Sequence, residues 1–150
     1  MKVKEFGSRK IHGEVAIGID QSYGGFAVTI LSIPTPANFY SAVATIPPVE
    51  AKGIKRLVQL RDFMLRTIDG YDINDIAMEG YAYGSTMAHT LGELGGIVKL
   101  GLYETYGATP LLVPPTNLKK YIAGKGTGVQ KNQILLNVFK KWDVEFTDDN

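Results

Sequence analysis

One stretch near the start of the chain constrains the fold most: an apolar run, a single acid, a glycine-containing turn and a second apolar run. The runs span residues 15–19 and 26–33, the acid is Asp20, and Gly24 and Gly25 lie in the turn. Two short apolar runs joined in this way predict adjacent antiparallel strands. The first of these strands therefore ends in a carboxylate.

The rest of the chain alternates between strand and helix patterns. A third strand is predicted over residues 39–46, and an amphipathic helix over 49–68 has a basic side that we interpret as a solvated face. The later elements are a strand over 75–79, a helix over 86–106, a strand over 109–113, a short helix over 116–122 and a last helix over 129–142. This order predicts an α/β fold, with helices over a mixed sheet whose first three strands are antiparallel and whose later strands are parallel.

Four glycines fall inside the helix predicted over residues 86–106: Gly92, Gly95, Gly96 and Gly101. A glycine costs a helix interior about 0.5–1 kcal/mol relative to alanine, so this density indicates close packing against a neighbour. The neighbour is either the sheet or a second copy of the same helix.

Length and composition limit the kind of protein. With 150 residues the chain is predicted to form a single domain over 1–150, in which residues 1–13 are a loosely held arm. The absence of cysteine excludes disulfides and thiolate metal sites. Because there are only two histidines, any metal would rest on oxygen ligands, which favours magnesium, manganese or calcium over zinc.

Charge and hydropathy narrow the possible partners. The net charge is only +1, so nucleic-acid binding has to be argued from local clusters of lysine. Neither a run long enough to cross a membrane nor a signal peptide is present in the sequence. We therefore expect no membrane partner and a cytoplasmic location.

Asp20 and Glu79 each end a predicted strand. Ligands of α/β sheets bind at the carboxyl ends of central strands. Two nearby carboxylates without a cationic partner repel each other, and they are tolerated chiefly where a metal or a shared proton neutralises them. The pattern alone leaves two interpretations open, namely metal ligands and simple turn-forming or capping acids.

Several motifs occur in a recognisable order: GIDQSYGGFAV at residues 18–28, AMEGY at 77–81, VPPTNLKK at 113–120 and GKG at 124–126. Together with the glycine-rich helix they resemble the RuvC-like Holliday junction resolvases of bacteria and their phages. The resemblance extends over nearly all of the chain after residue 13. It implies the RNase H-like fold, a homodimer, and cleavage of four-way DNA junctions at two symmetric strands with magnesium or manganese, as two ions.

The resemblance also assigns roles to individual residues. Asp20 and Glu79 match the first and second catalytic acids, which bind the metal. Lys119 and Lys131 match basic residues around the scissile strand, so Lys119 belongs to the catalytic group, and Lys131 is expected to bind DNA together with Lys120 and Lys125. These lysines surround a glycine loop, and the alternative is that they are ordinary solvated side chains.

Four further residues have two interpretations each. Tyr81 and Tyr83 match the position at which the family inserts a side chain beside the junction bases, and the alternative is packing on the core. Asp148 and Asp149 match the start of the acidic helix with which the family ends. Either one of them supplies the late catalytic acid, or that helix lies beyond residue 150; we favour the second.

Two other functions compete with the nuclease. One is a junction-binding module that does not cleave DNA. The other is a nucleotide-binding protein of the same broad fold, because the actin-like ATPases also place an acid and glycines after their first strand. Those proteins need a second phosphate loop and a second domain, which makes this alternative the weaker one. Two residues near the predicted site also have two interpretations each. Ser22 either forms a turn, which we favour, or contacts a metal-bound water. His89 lies on the helix surface or at the dimer contact, which we favour, or is a ligand.

Overall fold

The computed structural model of the chain describes residues 4–6, 11–33, 41–47, 51–81 and 86–146. The strands are β1 (Lys4–Phe6), β2 (Glu14–Asp20), β3 (Ala27–Ser32), β4 (Ala42–Ile46), β5 (Asp72–Glu79) and β6 (Leu111–Val113). The helices are α1 (Gly53–Ile68), α2 (Ala88–Tyr106), α3 (Pro115–Ala123) and α4 (Lys131–Trp142). None of the helices in these ranges combines the length and the apolar character that crossing a bilayer requires.

The six strands form one mixed sheet in the order β1-β4-β3-β2-β5-β6. β2 lies near the centre, antiparallel to β3 and parallel to β5, and β6 continues the parallel half. The predicted mixed sheet with flanking helices is therefore confirmed. Its parallel half aligns the carboxyl ends of β2, β5 and β6 along one edge.

The main core lies between one face of the sheet and the helices α1 and α2. Along β2, buried residues alternate with half-buried or exposed ones, as expected for a strand covered on one face. The fully buried side chains of this core come from β2, β3, β5 and both helices: Val15, Ile17, Val28, Ile30, Met64, Ile68, Met78, Leu94, Val98 and Leu102. Each such side chain contributes about 1.5–3 kcal/mol by leaving water. This packing holds the central strands in place, and with them the residues at their carboxyl ends.

Residues 4–6 differ from the prediction of a loosely held arm. They form the edge strand β1, which pairs antiparallel with β4 so that Lys4 lies opposite Ile46. Strand pairing uses backbone groups, so a polar segment can satisfy the free edge of β4 without contributing to the core. Residues 1–3 and 7–10 lie outside the described ranges.

The helix starts also differ from the sequence prediction. α1 begins at Gly53 and not near residue 49, and α3 begins at Pro115. The sequence predicts this helix from residue 116, but the position before the helix is Pro114, which makes no side-chain cap hydrogen bond. Proline is well suited to the first turn of a helix because its missing N–H has no partner there in any case.

The basic side of α1 is not wholly solvated, since Arg56 is only 3% exposed. Its guanidinium donates to the backbone carbonyls of Tyr23 and, at 3.4 Å, of Ala51, and it lies 4.5 Å from the centroid of the Tyr23 ring. The interpretation of this side as a solvated face is thus wrong for Arg56. This side chain instead connects α1 to the turn that follows Asp20.

The glycines of α2 divide into two groups. A Cβ on Gly95 would lie 2.5 Å from Oε1 of Gln21, and one on Gly101 would lie 2.8 Å from Cγ of Arg61. At Gly92 and Gly96 a Cβ would meet nothing within 4 Å. Gly95 and Gly101 therefore allow close packing within the chain, whereas Gly92 and Gly96 leave open space for a second copy of the helix.

Candidate active site

The two acids singled out in the sequence lie side by side. Asp20 is the last residue of β2 and Glu79 the last residue of β5, and these strands are parallel with Ile19 paired to Met78. The next residue of each strand is the acid, so both carboxyl groups belong to the sheet face opposite the core. Their side chains are hydrogen-bonded to each other.

Burial is the main cause of the raised pKa of both groups. Although Asp20 is partly open to solvent, the surrounding protein removes enough hydration to raise its pKa above the ordinary value. The pKa of Glu79 is raised by burial and then by the charge of Asp20. The interaction between the two carboxyl groups lowers the pKa of Asp20 and raises that of Glu79, and the pKa of each group remains raised overall.

Two lysines from the C-terminal helices face this pair. The charge of Lys119 in α3 lowers the pKa of Glu79, and the charge of Lys131 in α4 lowers that of Asp20. Both effects are smaller than that of burial, so the carboxyl groups keep a net tendency to hold a proton. The lysines create a positive surface beside the acids.

The turn after Asp20 fixes one side of its carboxylate. The backbone N–H of Ser22 donates to Oδ1 of Asp20 at 3.1 Å, and the N–H of Gly25 donates to Oγ of Ser22 at the same distance. Ser22 is thus a turn-forming residue, as predicted. The Asp20 carboxylate retains free lone pairs for a ligand, since it can accept several hydrogen bonds or metal contacts.

The acids open into a cleft of about 360 Å³ between the carboxyl ends of the strands and the first turns of α2 and α3. Tyr81 lines this cleft together with both acids, and its hydroxyl end is packed against Gly95. The remaining lining residues are Gln21, Ser22, Tyr23, Gly24, Gly80, Met87, Leu91 and Pro115. The cleft is therefore lined both by the two carboxyl groups and by apolar side chains.

The structure brings some of the predicted site residues together and leaves others apart. Asp20, Glu79 and Tyr81 line one cleft, and Lys119 and Lys131 act on the acids electrostatically. Lys120 on α3 and Lys125 in the following loop are exposed. Tyr83, Asp148 and Asp149 lie outside the described residues.

Sequence reasoning missed two residues that support the site. Gln21 is only 4% exposed, and its Nε2 donates to the backbone carbonyl of Glu79 at 2.6 Å. Arg56 holds the carbonyl of Tyr23. A signal was present for Gln21, because it directly follows the acid, but no pattern distinguished a buried glutamine from a solvated one.

The donor set is compatible with a hard divalent cation. Magnesium is bound through one or two carboxylates and keeps several waters, and two adjacent carboxyl groups in an open cleft provide such a set. Over residues 4–6, 11–33, 41–47, 51–81 and 86–146 there is no cluster of three or more acids and histidines suited to a metal. Asp20 and Glu79 line the cleft as a pair and could hold such an ion there.

Taken together, the mixed sheet, its flanking helices and its order of strands define an α/β fold of the RuvC type. The structure is similar to that of Thermus thermophilus RuvC, with a TM-score of 0.68 and 17% sequence identity, over 89% of this chain and 82% of that one. It is also similar to T. thermophilus RuvC in complex with a Holliday junction substrate, with a TM-score of 0.70 and the same identity and coverage. No protein-family model and no curated protein sequence matches the chain.

Proposed function

We propose that this chain is a metal-dependent endonuclease that resolves four-way or other branched DNA junctions by paired, symmetric phosphodiester hydrolysis. The observation that carries the proposal is the contact between Asp20 and Glu79 at the ends of adjacent parallel strands. Two acids held together in a cleft, with a raised pKa, bring an energetic cost that a bound cation would remove.

The distribution of charge supports a nucleic-acid substrate. Residues 105–142 contain six lysines and no acid. With +6 in this stretch and +1 overall, the remainder of the chain carries −5. The positive charge is thus concentrated on α3, α4 and the loops around them, beside the acids, where it can bind phosphates.

The proposed metal is magnesium or manganese, as two ions. When bound, such ions stabilise the attacking and leaving oxygens of phosphodiester hydrolysis. Asp20 and Glu79 would hold them, and the loss of the shared proton would accompany binding, because a carboxyl group must be ionised to act as a ligand. Asp148 and Asp149 remain candidates for a further acid, on the resemblance alone.

The basic and aromatic residues near the site are proposed to contact the DNA. Lys119 and Lys131 each act electrostatically on one of the acids, so we assign the scissile phosphate to both lysines, with Lys119 as the catalytic lysine. Lys120 and Lys125 bind more distant phosphates. The ring of Tyr81 forms a wall of the cleft, and Tyr83 retains its proposed contact with the junction bases.

The proposed assembly is a homodimer through the outer face of α2. Gly92 and Gly96 lie on this face with open space around them, and Leu100 and Tyr103 are 51% and 65% exposed. Small residues beside exposed apolar ones allow two helices to approach closely. Two active sites related by a two-fold axis would match the near two-fold symmetry of a four-way junction.

One observation favours a second function. The described residues supply only two acids to the site, which suits a module that binds branched DNA without cutting it. A gel shift on junction DNA, with no product in magnesium or manganese, would support this alternative.

The test uses a synthetic four-way junction and a linear duplex of the same sequence. Magnesium-dependent nicks at symmetric positions on two strands of the junction, and none on the duplex, are the expected result. Asp20→Asn and Glu79→Gln should bind the junction without cutting it. Normal cleavage by either variant would contradict the proposal.

A further inference from the structure

Gln21 connects the two strands that carry the acids. The last residues paired between β2 and β5 are Ile19 and Met78, so the pairing of these two strands with each other ends just before the acids. One residue further on, the hydrogen bond from Nε2 of Gln21 to the carbonyl of Glu79, at 2.6 Å, continues the connection through a side chain. This hydrogen bond limits how far the strand ends can separate.

The other end of the same amide is unsatisfied. Oε1 of Gln21 is buried and has no hydrogen-bond partner among the described residues. A buried acceptor without a partner destabilises a fold, whereas an apolar side chain of the same shape, such as methionine, would avoid that cost. Stability alone therefore does not explain a glutamine here, and unsatisfied polar groups of this kind call for a functional explanation.

Helix α2 holds the amide from the opposite side. A Cβ on Gly95 would lie 2.5 Å from Oε1 of Gln21 and would also collide with the hydroxyl of Tyr81. Only glycine allows the helix to come this close. The Gln21 amide is thus confined between the Glu79 carbonyl and the backbone of α2.

We propose that Gln21 is a positioning residue that sets the separation of the Asp20 and Glu79 carboxyl groups, with Gly95 as its support. The inference rests on the proposed function, because it takes these carboxyl groups as the metal ligands. Groups that orient metal ligands typically change metal affinity or activity by about 10–100-fold when they are removed. Gln21 acts through Glu79 and is not itself assigned a contact with DNA.

The test replaces Gln21 by Met, which keeps the length of the side chain and removes both polar atoms. Mn²⁺ affinity is measured by electron paramagnetic resonance, junction cleavage by kcat and KM, and stability by thermal unfolding. We expect Mn²⁺ affinity lowered about tenfold, kcat lowered about tenfold or more, and little change in KM. The change in Tm should be small, because the lost hydrogen bond to the Glu79 carbonyl is offset by removal of the unsatisfied acceptor. Gln59→Met on the exposed surface of α1 is the matched control and should leave all four quantities unchanged.

Gly95→Ala provides a second variant that leaves the chemistry of the amide intact. It should displace Gln21 and lower Mn²⁺ affinity in the same direction, judged on the folded fraction of the protein. If Gln21→Met lowers Tm but the folded protein binds Mn²⁺ and cleaves junctions like the wild type, Gln21 is merely structural and the inference fails.

The failures of the two proposals are distinguishable. If the wild type binds Mn²⁺ but cuts no junction, the proposed function fails, and the affinity of Gln21→Met alone still decides the role of Gln21. If the wild type cuts junctions and Gln21→Met matches it in affinity and kcat, only the positioning role fails. Absence of Mn²⁺ binding by the wild type would overturn both.

Discussion

Asp20 and Glu79 occupy the same level of two adjacent parallel strands and share a hydrogen bond between their carboxyl groups. Both pKa values are raised, chiefly by burial, so the folded protein favours a proton on this pair. Holding two acids together in this way lowers the stability of the folded protein when no cation is bound. This cost can be measured from the stability of the protein alone, without DNA.

The first prediction concerns stability in the absence of metal. A raised acid pKa means that the folded state binds protons more strongly than the unfolded state, so stability falls as pH rises from the unfolded pKa through the folded one and stays low above it. Asp20→Asn and Glu79→Gln should therefore raise Tm at pH 7, and the gain should shrink as pH is lowered through the raised folded pKa values and disappear below the unfolded values near about 4.

Three features of the same experiment check this explanation. The exposed residue Asp72 provides the matched control, since Asp72→Asn should not raise Tm at pH 7. Magnesium should stabilise the wild type and have little effect on the two site variants, because a ligand stabilises only the protein that binds it. A site variant that is less stable than the wild type at pH 7 would contradict the account.

The second prediction concerns the pH dependence of cleavage. Lys131 lowers the pKa of Asp20, so Lys131→Gln should raise that pKa and move the acidic limb of the kcat/KM profile to higher pH. Lys119→Gln should do the same through Glu79. Lys55→Gln on the exposed surface of α1 should leave the limb in place.

Salt dependence provides a separate measurement on the same lysines. Each lysine that contacts a phosphate contributes about 0.9 to the slope of log affinity against log salt, so each site variant should reduce that slope by about one. A limb that moves to lower pH in Lys131→Gln would contradict the proposed electrostatic effect.

The third prediction separates the two groups of glycines in α2. Gly92→Ala and Gly96→Ala should each stabilise the monomer by about 0.5–1 kcal/mol, because alanine favours the helix and finds open space. The same substitutions should weaken the proposed dimer, in which these residues meet a second copy. Urea unfolding at low concentration and sedimentation at high concentration measure the two effects.

Gly101→Ala is the contrasting variant for this test. Its Cβ would press on Cγ and Cδ of Arg61, at 2.8 and 2.9 Å, so it should destabilise the monomer. If the wild type sediments as a monomer at every concentration, or if Gly92→Ala and Gly96→Ala leave a dimer intact, α2 is not the dimer contact.

The sequence was sufficient for the central strands of the sheet because burial follows a regular alternation there. Ile19 and Asp20 illustrate this, since an apolar strand that ends in an acid could be recognised without coordinates. Lys4–Phe6 could not be assigned, because pairing at a sheet edge uses backbone groups that have no sequence signature.

The support of the site was less predictable, for a different physical reason. Gln21 and Arg56 are polar residues whose burial depends on contacts with distant segments, and polar residues are mostly exposed. Similarly, Gly95 and Gly96 are neighbours in sequence, but only Gly95 has a close contact inside the chain. The resemblance supplied the proposed roles of Asp20 and Glu79, and the structure supplied their hydrogen bond.

The last prediction concerns Arg56, which fixes the turn between β2 and β3 from the side of α1. Arg56→Lys keeps the positive charge but loses the planar group that bonds two carbonyls and stacks on Tyr23. We expect a loss of about 1–3 kcal/mol in the free energy of unfolding, because buried hydrogen-bonding groups lose their partners. We also expect faster hydrogen exchange at the N–H groups of Ser22 and Gly25, which bond within this turn.

Arg56→Lys should also lower the rate of junction cleavage, because the turn that loses its protection from hydrogen exchange also holds one side of the Asp20 carboxylate. Arg66→Lys, on the exposed surface of α1, is the matched control and should change neither exchange nor stability by more than about 0.5 kcal/mol. Exchange at Ser22 and Gly25 that is unchanged in Arg56→Lys would mean that the turn keeps its own geometry. Arg56 would then stabilise only the junction between α1 and the sheet, and its effect on the carboxylate pair would be excluded.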